Sequence, residues 1–275
     1  MTSGSTVGSL GRLPRLAVGR VRRLRRGGRP GAANSNGATP AGPALPTLPG
    51  ERPWRHKWNV LEAAIAFSVA NNIAGDYLEF GVYRGGSFIH AWHSHREIFE
   101  RYAIAQQRHA DDAYLRSKMR FFAFDSFEGL PESDQSEIPL HWRGDHAMSF
   151  SERRFLANLE AGGVDLTDVA TVPGYYDISL TPDVGPRLGL TRAAVVNVDC
   201  DLGISTVPVL EFVEDFLVDG TVLIFDDWFY YRGHPGRGER GAFEAWLARH
   251  PELVASELMR LYPTVAFILN QREPG

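Results

Sequence analysis

From Trp58 to Ile73 the run WNVLEAAIAFSVANNI places apolar residues at helical spacing, and the short apolar run DYLEFGV that follows ends near glycine. This pattern predicts a helix feeding a strand. Ser87–Tyr102 predicts the next helix, with residues 103–118 as a polar extension, and Phe121–Phe124 predicts a second strand stopped by Asp125. The stretch from Ser126 to Met148 is rich in turn residues and aromatics and is longer than a routine connection, which suits an active-site loop or lid. SERRFLANLEAGGV predicts a helix ending at its glycines, and VATVPG a third strand. Further strands are expected at Ala193–Val198 and Thr221–Phe225, helices at Val207–Leu217 and Gly238–His250, and two closing strands in SELMRLY and TVAFILN. Strands alternating with helices place the chain in the α/β class, as a doubly wound, mostly parallel seven-stranded sheet whose ligands bind beyond the carboxyl ends of the strands.

Charge and composition divide the chain in two. Residues 1–50 carry eight arginines and no acid, so the overall net charge of −4 leaves −12 on the remainder. An acidic folded part makes nucleic acid an unsuitable partner. The first 52 residues, rich in Gly, Pro, Ser, Ala and Arg, have too few large apolar side chains for a core and are expected to be a disordered tail, with one domain over 53–275. Leu13, Leu16, Val21 and Leu24 between arginines leave two other readings open, a short basic helix on an anionic membrane or an organellar presequence. No apolar run approaches the roughly 20 residues of a transmembrane segment. Cys200 is the only cysteine, which excludes an intrachain disulfide and points to a reducing, cytoplasmic setting. Lys57 and Lys118 are the only lysines among 29 basic residues, a bias that reads as coding preference.

Three groups of polar residues fall at predicted strand ends. Glu79-Phe80-Gly81-Val82-Tyr83-Arg84-Gly85-Gly86-Ser87 lies between a strand and a helix, where glycine lets the backbone turn and approach a ligand. Tyr83 stands where a dinucleotide fingerprint requires its second glycine, so the turn suits the amino-acid end of S-adenosylmethionine better than a pyrophosphate; a purely structural turn is the alternative. Asp125, followed by Ser126 and Phe127, can accept hydrogen bonds from ribose hydroxyls or cap its own turn. Gly174 and Tyr175 end the third strand and belong to the same cleft. Asp199, Asp201, Asp226 and Asp227 follow two neighbouring strands, and four carboxylates there repel one another unless a cation neutralises them. Oxygen-only ligands favour Mg²⁺. His90, His93 and His95 read as surface or supporting residues, and His141, Trp142, Asp145 and His146 as a lid or a solvated loop. Trp228-Phe229-Tyr230-Tyr231 divides between acceptor wall and core.

LEFGVYRGGS, FFAFDSFEGLPE, the WRGDHAMS segment, VDCDLGIST and VLIFDDW, in this order over about residues 55–270, resemble the macrocin O-methyltransferase family, which includes sugar-modifying enzymes of macrolide and aminocoumarin antibiotic pathways. The resemblance implies a Rossmann-like class I methyltransferase fold, S-adenosylmethionine as donor, Mg²⁺ as metal and a small-molecule hydroxyl acceptor. On matching positions it implies Asp199, Asp226 and Asp227 as metal ligands, Asp201 as general base, and Glu79, Phe80, Gly81, Val82, Tyr83, Ser87, Asp125, Ser126 and Phe127 as donor-site residues. Gly203 departs from the tyrosine usual in the family after DCDL, which puts acceptor geometry in doubt. Two other classes stay open: a nucleotide-sugar glycosyltransferase, because Asp199-x-Asp201 is also a DxD motif, and a non-catalytic binding module on the same fold. A homo-oligomer is left open as well. Deleting residues 1–50 should leave thermal stability and turnover close to those of the full chain, and a large loss of either would show that the arginine-rich segment docks on the domain.

Overall fold

The computed structural model describes residues 55–105, 119–131 and 148–272. The tail, the polar extension beyond residue 105 and the loop residues His141, Trp142, Asp145 and His146 lie outside these residues. Among the described residues no helix is long and apolar enough to cross a membrane.

Helix α1 (Arg55–Ala70) buries Val60, Leu61, Ala64, Ile65 and Val69, a stripe at helical spacing. It leads into β1 (Asp76–Phe80), whose five residues are all buried, as expected of a parallel strand covered on both faces. Next come α2 (Gly86–Ala105), β2 (Phe121–Asp125), α3 (Glu152–Ala161) and β3 (Val169–Pro173). Two short helices, α4 (Tyr176–Ser179) and α5 (Val184–Leu188), precede β4 (Ala193–Val198). Helix α6 (Gly203–Val213), β5 (Leu217–Phe225), α7 (Gly238–Arg249), β6 (Leu253–Leu261) and β7 (Thr264–Gln271) complete the chain. The seven strands form one sheet in the order β3-β2-β1-β4-β5-β7-β6, parallel except for the pairings of β7 with β5 and β6.

Alternation along the strands builds the two cores. Leu78, Phe80, Phe122, Phe124, Val196, Val198, Leu223 and Phe225 face one layer of helices. Tyr77, Phe121, Ala123, Val195, Val222 and Ile224 face the other.

The register decides where the polar residues end up. Phe80 lies opposite both Phe124 and Val198, and Val198 lies opposite Phe225. The next residue of each strand is therefore Gly81, Asp125, Asp199 or Asp226, and the four stand in a row along one edge. Sheet order reverses direction at β1 and β4, so this edge includes the switch point at which open α/β sheets bind ligands.

Several elements differ from expectation. Helix α6 begins at Gly203, four residues before Val207, because Leu202 is still extended and the first turn carries Ile204 and Ser205, which have no apolar period of their own. Strand β5 begins at Leu217, four residues before Thr221, although its first residues lie where the β4 pairing is irregular. Helices α4 and α5, at four and five residues, are too short to leave a period in the sequence.

At Gly81 the backbone has φ +88°, and a Cβ there would stand 1.9 Å from the carbonyl oxygen of Asp199. Gly81→Ala should cost about 2–4 kcal/mol in urea unfolding, through both the left-handed backbone and the clash between the β1 and β4 ends. Wild-type stability in that variant would show that the two strand ends separate freely.

Candidate active site

A cavity opens on the row of strand ends. Gly81 and Tyr83 from the β1 turn, Asp125 and Ser126 from β2, and Tyr175 and Tyr176 beyond β3 line one side. Asp199, Cys200 and Asp201, with Ile204, Ser205 and Pro208 of α6, line the other. Each wall follows from the register: the chain leaves the sheet at the same height in β1, β2 and β4.

The β1–β2 side of the cavity has a lining and a supporting layer. Gly81, Tyr83, Asp125, Ser126 and Tyr175 face the cavity, as the sequence suggested. Glu79, Phe80, Val82, Ser87, Phe127 and Gly174 do not line it. Phe80 is fully buried and stacks on Phe124 with ring centroids 4.4 Å apart, and Phe127 packs against Phe155. Val82 is buried, and Gly174, at φ +130°, turns the chain over Ser179. Glu79 is fully buried, accepting hydrogen bonds from Ser87 Oγ at 2.5 Å and from the Tyr77 hydroxyl. Burial raises its pKa, and those two bonds limit the rise.

Asp125 is engaged more fully than a free ribose ligand would be. Its Oδ2 accepts the backbone N–H groups of Val82 at 2.8 Å and Tyr83 at 3.1 Å, and its Oδ1 accepts that of Phe127 at 2.7 Å. The side chain thus fixes the glycine turn of β1 to the turn after β2 while still bordering the cavity. The turn-cap reading of Asp125 is therefore what the structure displays, and its carboxylate also borders the cavity.

The acidic row is more buried than solvated strand ends would be. Asp201, Asp226 and Asp227 are each less than 10% exposed. Asp226 Oδ1 accepts the Thr264 hydroxyl at 2.7 Å, and its Oδ2 takes a 2.9 Å bond from Lys57 Nζ. Lys57 also donates to Asp199 Oδ2. Burial works against charge at Asp226, but Lys57 and Thr264 overcome it and hold this carboxyl below its ordinary pKa. On Lys57 burial likewise opposes the charged form, and Asp199 and Asp226 outweigh it, holding the ammonium well above its usual pKa.

The Asp201 and Asp227 carboxyls face each other, and among the described residues no lysine hydrogen-bonds to either, although the charge of Lys57 is felt at Asp201. Burial and the neighbouring acids push Asp227 well above the usual carboxylate range, and burial chiefly pushes Asp201 up to about 6. Asp227 Oδ2 is buried with no hydrogen-bond partner. Asp201 has φ +65° and sits at the centre of a tight turn in which Leu202 N–H donates to the Cys200 carbonyl at 2.6 Å. A strained backbone thus aims this side chain.

Glu239, the second residue of α7, holds the two acidic turns together. It is fully buried; its Oε1 accepts the Cys200 N–H at 3.3 Å and its Oε2 the Asp227 N–H at 2.9 Å. Sequence reasoning missed both Glu239 and Lys57. An acid in the first turn of a helix reads as a dipole partner, and the one available signal for Lys57 was its rarity in a chain that otherwise uses arginine.

Other sequence candidates resolve into packing. Trp228 is core, tilted against Phe225 and Phe267, whereas half-buried Tyr230 senses the charges of Asp227, Asp201 and Asp226. His90 stacks on Trp58, His93 bonds the Gly162 carbonyl at 2.8 Å, and His95 stacks on Phe99. Gly203 begins α6, and a Cβ there would come within 3.1 Å of the Gly238 carbonyl oxygen, so the starts of α6 and α7 touch through backbone.

Residues 47–235 match the family described as Macrocin-O-methyltransferase (TylF). The chain belongs to the macrocin-O-methyltransferase family. Within 175 residues it is 31% identical to the 8-demethyl-8-(2,3-dimethoxy-alpha-L-rhamnosyl)-tetracenomycin-C 4'-O-methyltransferase of Streptomyces olivaceus, an alignment spanning 61% of this chain and 58% of that relative. The O-methyltransferase NovP superposes with a TM-score of 0.58 at 18% identity over 79% of this chain and 80% of that one. The calicheamicin methyltransferase CalS11 does so with 0.54 at 19% identity and the same coverage. These structures share the Rossmann-like class I fold expected from the sequence.

In this macrocin-O-methyltransferase family member, Glu239→Ala would strand two buried N–H groups at the acidic turns. Its unfolding free energy should fall by about 2–5 kcal/mol, from two lost bonds to a charged acceptor. Stability within about 0.5 kcal/mol of wild type would mean that Glu239 does not tie the turns together.

Proposed function

We propose that the protein is an S-adenosylmethionine-dependent, metal-assisted O-methyltransferase acting on a hydroxyl of a small molecule, with a sugar or glycosylated natural product as the acceptor class. The observation that carries this reading is the juxtaposition, on one cavity, of a glycine turn made for close backbone approach and the carboxylates of Asp199 and Asp201, with Asp226 and Asp227 buried at the next strand end. Names of relatives that methylate sugars of antibiotics support the acceptor class.

The donor side suits S-adenosylmethionine, which supplies the methyl group when bound. Gly81 leaves room for backbone contact, and the carboxylate of Asp125 keeps lone pairs for ribose hydroxyls beyond its three backbone bonds. Tyr83 and Tyr175 offer flat apolar faces beside it.

The acidic side suits a divalent cation. Among the described residues no three acidic or histidine side chains yet converge as a finished cage. The donor set is nevertheless all oxygen, and the orphaned Asp227 Oδ2 is a buried acceptor that requires a partner. Asp199, Asp226 and Asp227 would hold Mg²⁺, which would lower the pKa of an acceptor hydroxyl. Asp201 faces Asp227 across the cavity wall and takes the acceptor proton as the hydroxyl oxygen attacks the methyl carbon. The walls orient donor and acceptor for in-line displacement, in which alignment is a large part of the rate. Sulfonium charge disappears as the methyl moves, so a water-poor cavity favours the step.

A DxD glycosyltransferase would leave the Gly81 turn unused, and a binding module would not require four buried acids. Asp201→Asn is a clean test because asparagine tolerates the left-handed backbone at this position. With a diol acceptor, turnover should fall about 10²- to 10⁴-fold while donor and Mg²⁺ affinities stay near wild type. Loss of Mg²⁺ affinity with turnover restored at saturating metal would instead make Asp201 a ligand. Absence of S-adenosylmethionine binding in calorimetry would remove the methyltransferase reading altogether.

A further inference from the structure

The acidic row already holds a positive charge, and that charge belongs to the chain. Lys57, in the first turns of α1, reaches carboxylates 142 and 169 residues away in sequence. We propose that Lys57 is a built-in, exchangeable counter-ion of the cation site: its ammonium holds Asp199 and Asp226 in the metal-free chain and moves out when a divalent cation binds. The inference rests on the assignment of these carboxylates to a cation.

Three observations carry it. First, one nitrogen bonds an oxygen of Asp199 and an oxygen of Asp226, two of the three expected ligands, so it occupies the place from which both are reached. A divalent ion cannot take those oxygens while the ammonium keeps them, because two cations at contact distance repel.

Second, the group is lysine in a chain with only two lysines among 29 basic residues. A compact ammonium on a flexible four-carbon stem can leave and return, whereas the planar fork of arginine would lock both carboxylates in one geometry. Solvent reaches the pair, since the Lys57 side chain keeps 13% and that of Asp199 20% of their exposure.

Third, a single positive charge covers half of the row. The hydrogen bonds of Lys57 go to Asp199 and Asp226, whereas Asp201 and Asp227 face each other and Asp227 Oδ2 has no partner. A divalent ion offers this second half a ligand that Lys57 does not. Lys57 therefore preserves the site without completing it, and binding exchanges two lysine bonds for metal ligation.

The two lysines make the exchange visible in the intact chain. With ¹³Cε-labelled lysine the protein gives two signals, assigned through Lys118→Arg. Titration with Mg²⁺ should shift the Lys57 signal saturably and leave that of Lys118 in place. In calorimetry at low ionic strength, Lys57→Met should bind Mg²⁺ about 10- to 100-fold more tightly than wild type, since no charge-assisted bonds must be broken. The same variant should gain more thermal stability from Mg²⁺ than wild type does. Equal affinity in the two proteins, or a Lys57 signal that saturating Mg²⁺ leaves unmoved, overturns the exchange while the cation site stands. If neither protein binds Mg²⁺ or Mn²⁺, the cation assignment fails and the exchange with it. Should Lys57→Met not fold, the wild-type titration decides alone.

Discussion

The parallel register that sets Phe80 beside Phe124 and Val198, and Val198 beside Phe225, is the constraint from which the site follows. A parallel ladder allows neighbouring strands to stop level with one another, and here four of them do. The residues just past the stop are Gly81, Asp125, Asp199 and Asp226, so ladder hydrogen bonds far from any ligand place the groups that meet one. Slipping β4 by one residue would turn Val196 and Val198 out of their hydrophobic layer. Core packing thereby protects the alignment of the acids.

Concentrating acids in this way creates an electrostatic problem that the fold answers in parts. Asp125 is satisfied by three backbone N–H groups, and Asp226 by Thr264 and Lys57. Glu239 adds a further buried carboxyl, yet it bonds the N–H groups of Cys200 and Asp227 and so fixes the separation of the two turns. What is left, the facing pair Asp201 and Asp227, is the least compensated part of the acidic row. Uncompensated charge beside a cavity is where chemistry is commonly found.

Most of the fold could be read from the sequence because its signals are local and periodic. The apolar stripe of α1, the buried run of β1 and the acids at the ends of β2, β4 and β5 all belong to short windows of chain. Element type survived where boundaries moved, as at α6, whose first residues after the extended Leu202 carry no apolar pattern to mark its start. The site was legible as carboxylates and hidden as a circuit. Nothing near Lys57 announces partners 142 and 169 residues away, and nothing near Glu239 shows that it bridges two turns. Phe80 and Glu79, adjacent to the cavity in sequence, fall behind it because alternation along β1 sends them into the layers.

The close approach of Gly81 to Asp199 joins the two sides of the cavity. A Cβ at Gly81 would stand 1.9 Å from the carbonyl oxygen of Asp199, whose side chain bonds Lys57. An engineer who enlarges the β1 turn would push this peptide and displace the acids with it. Changes in α6 beyond residue 203 have no such restriction, since they leave the contact untouched. Divergence on this scaffold is thus channelled: the glycine-turn side of the cavity is mechanically tied to the acidic row, and the α6 side is the part open to trial.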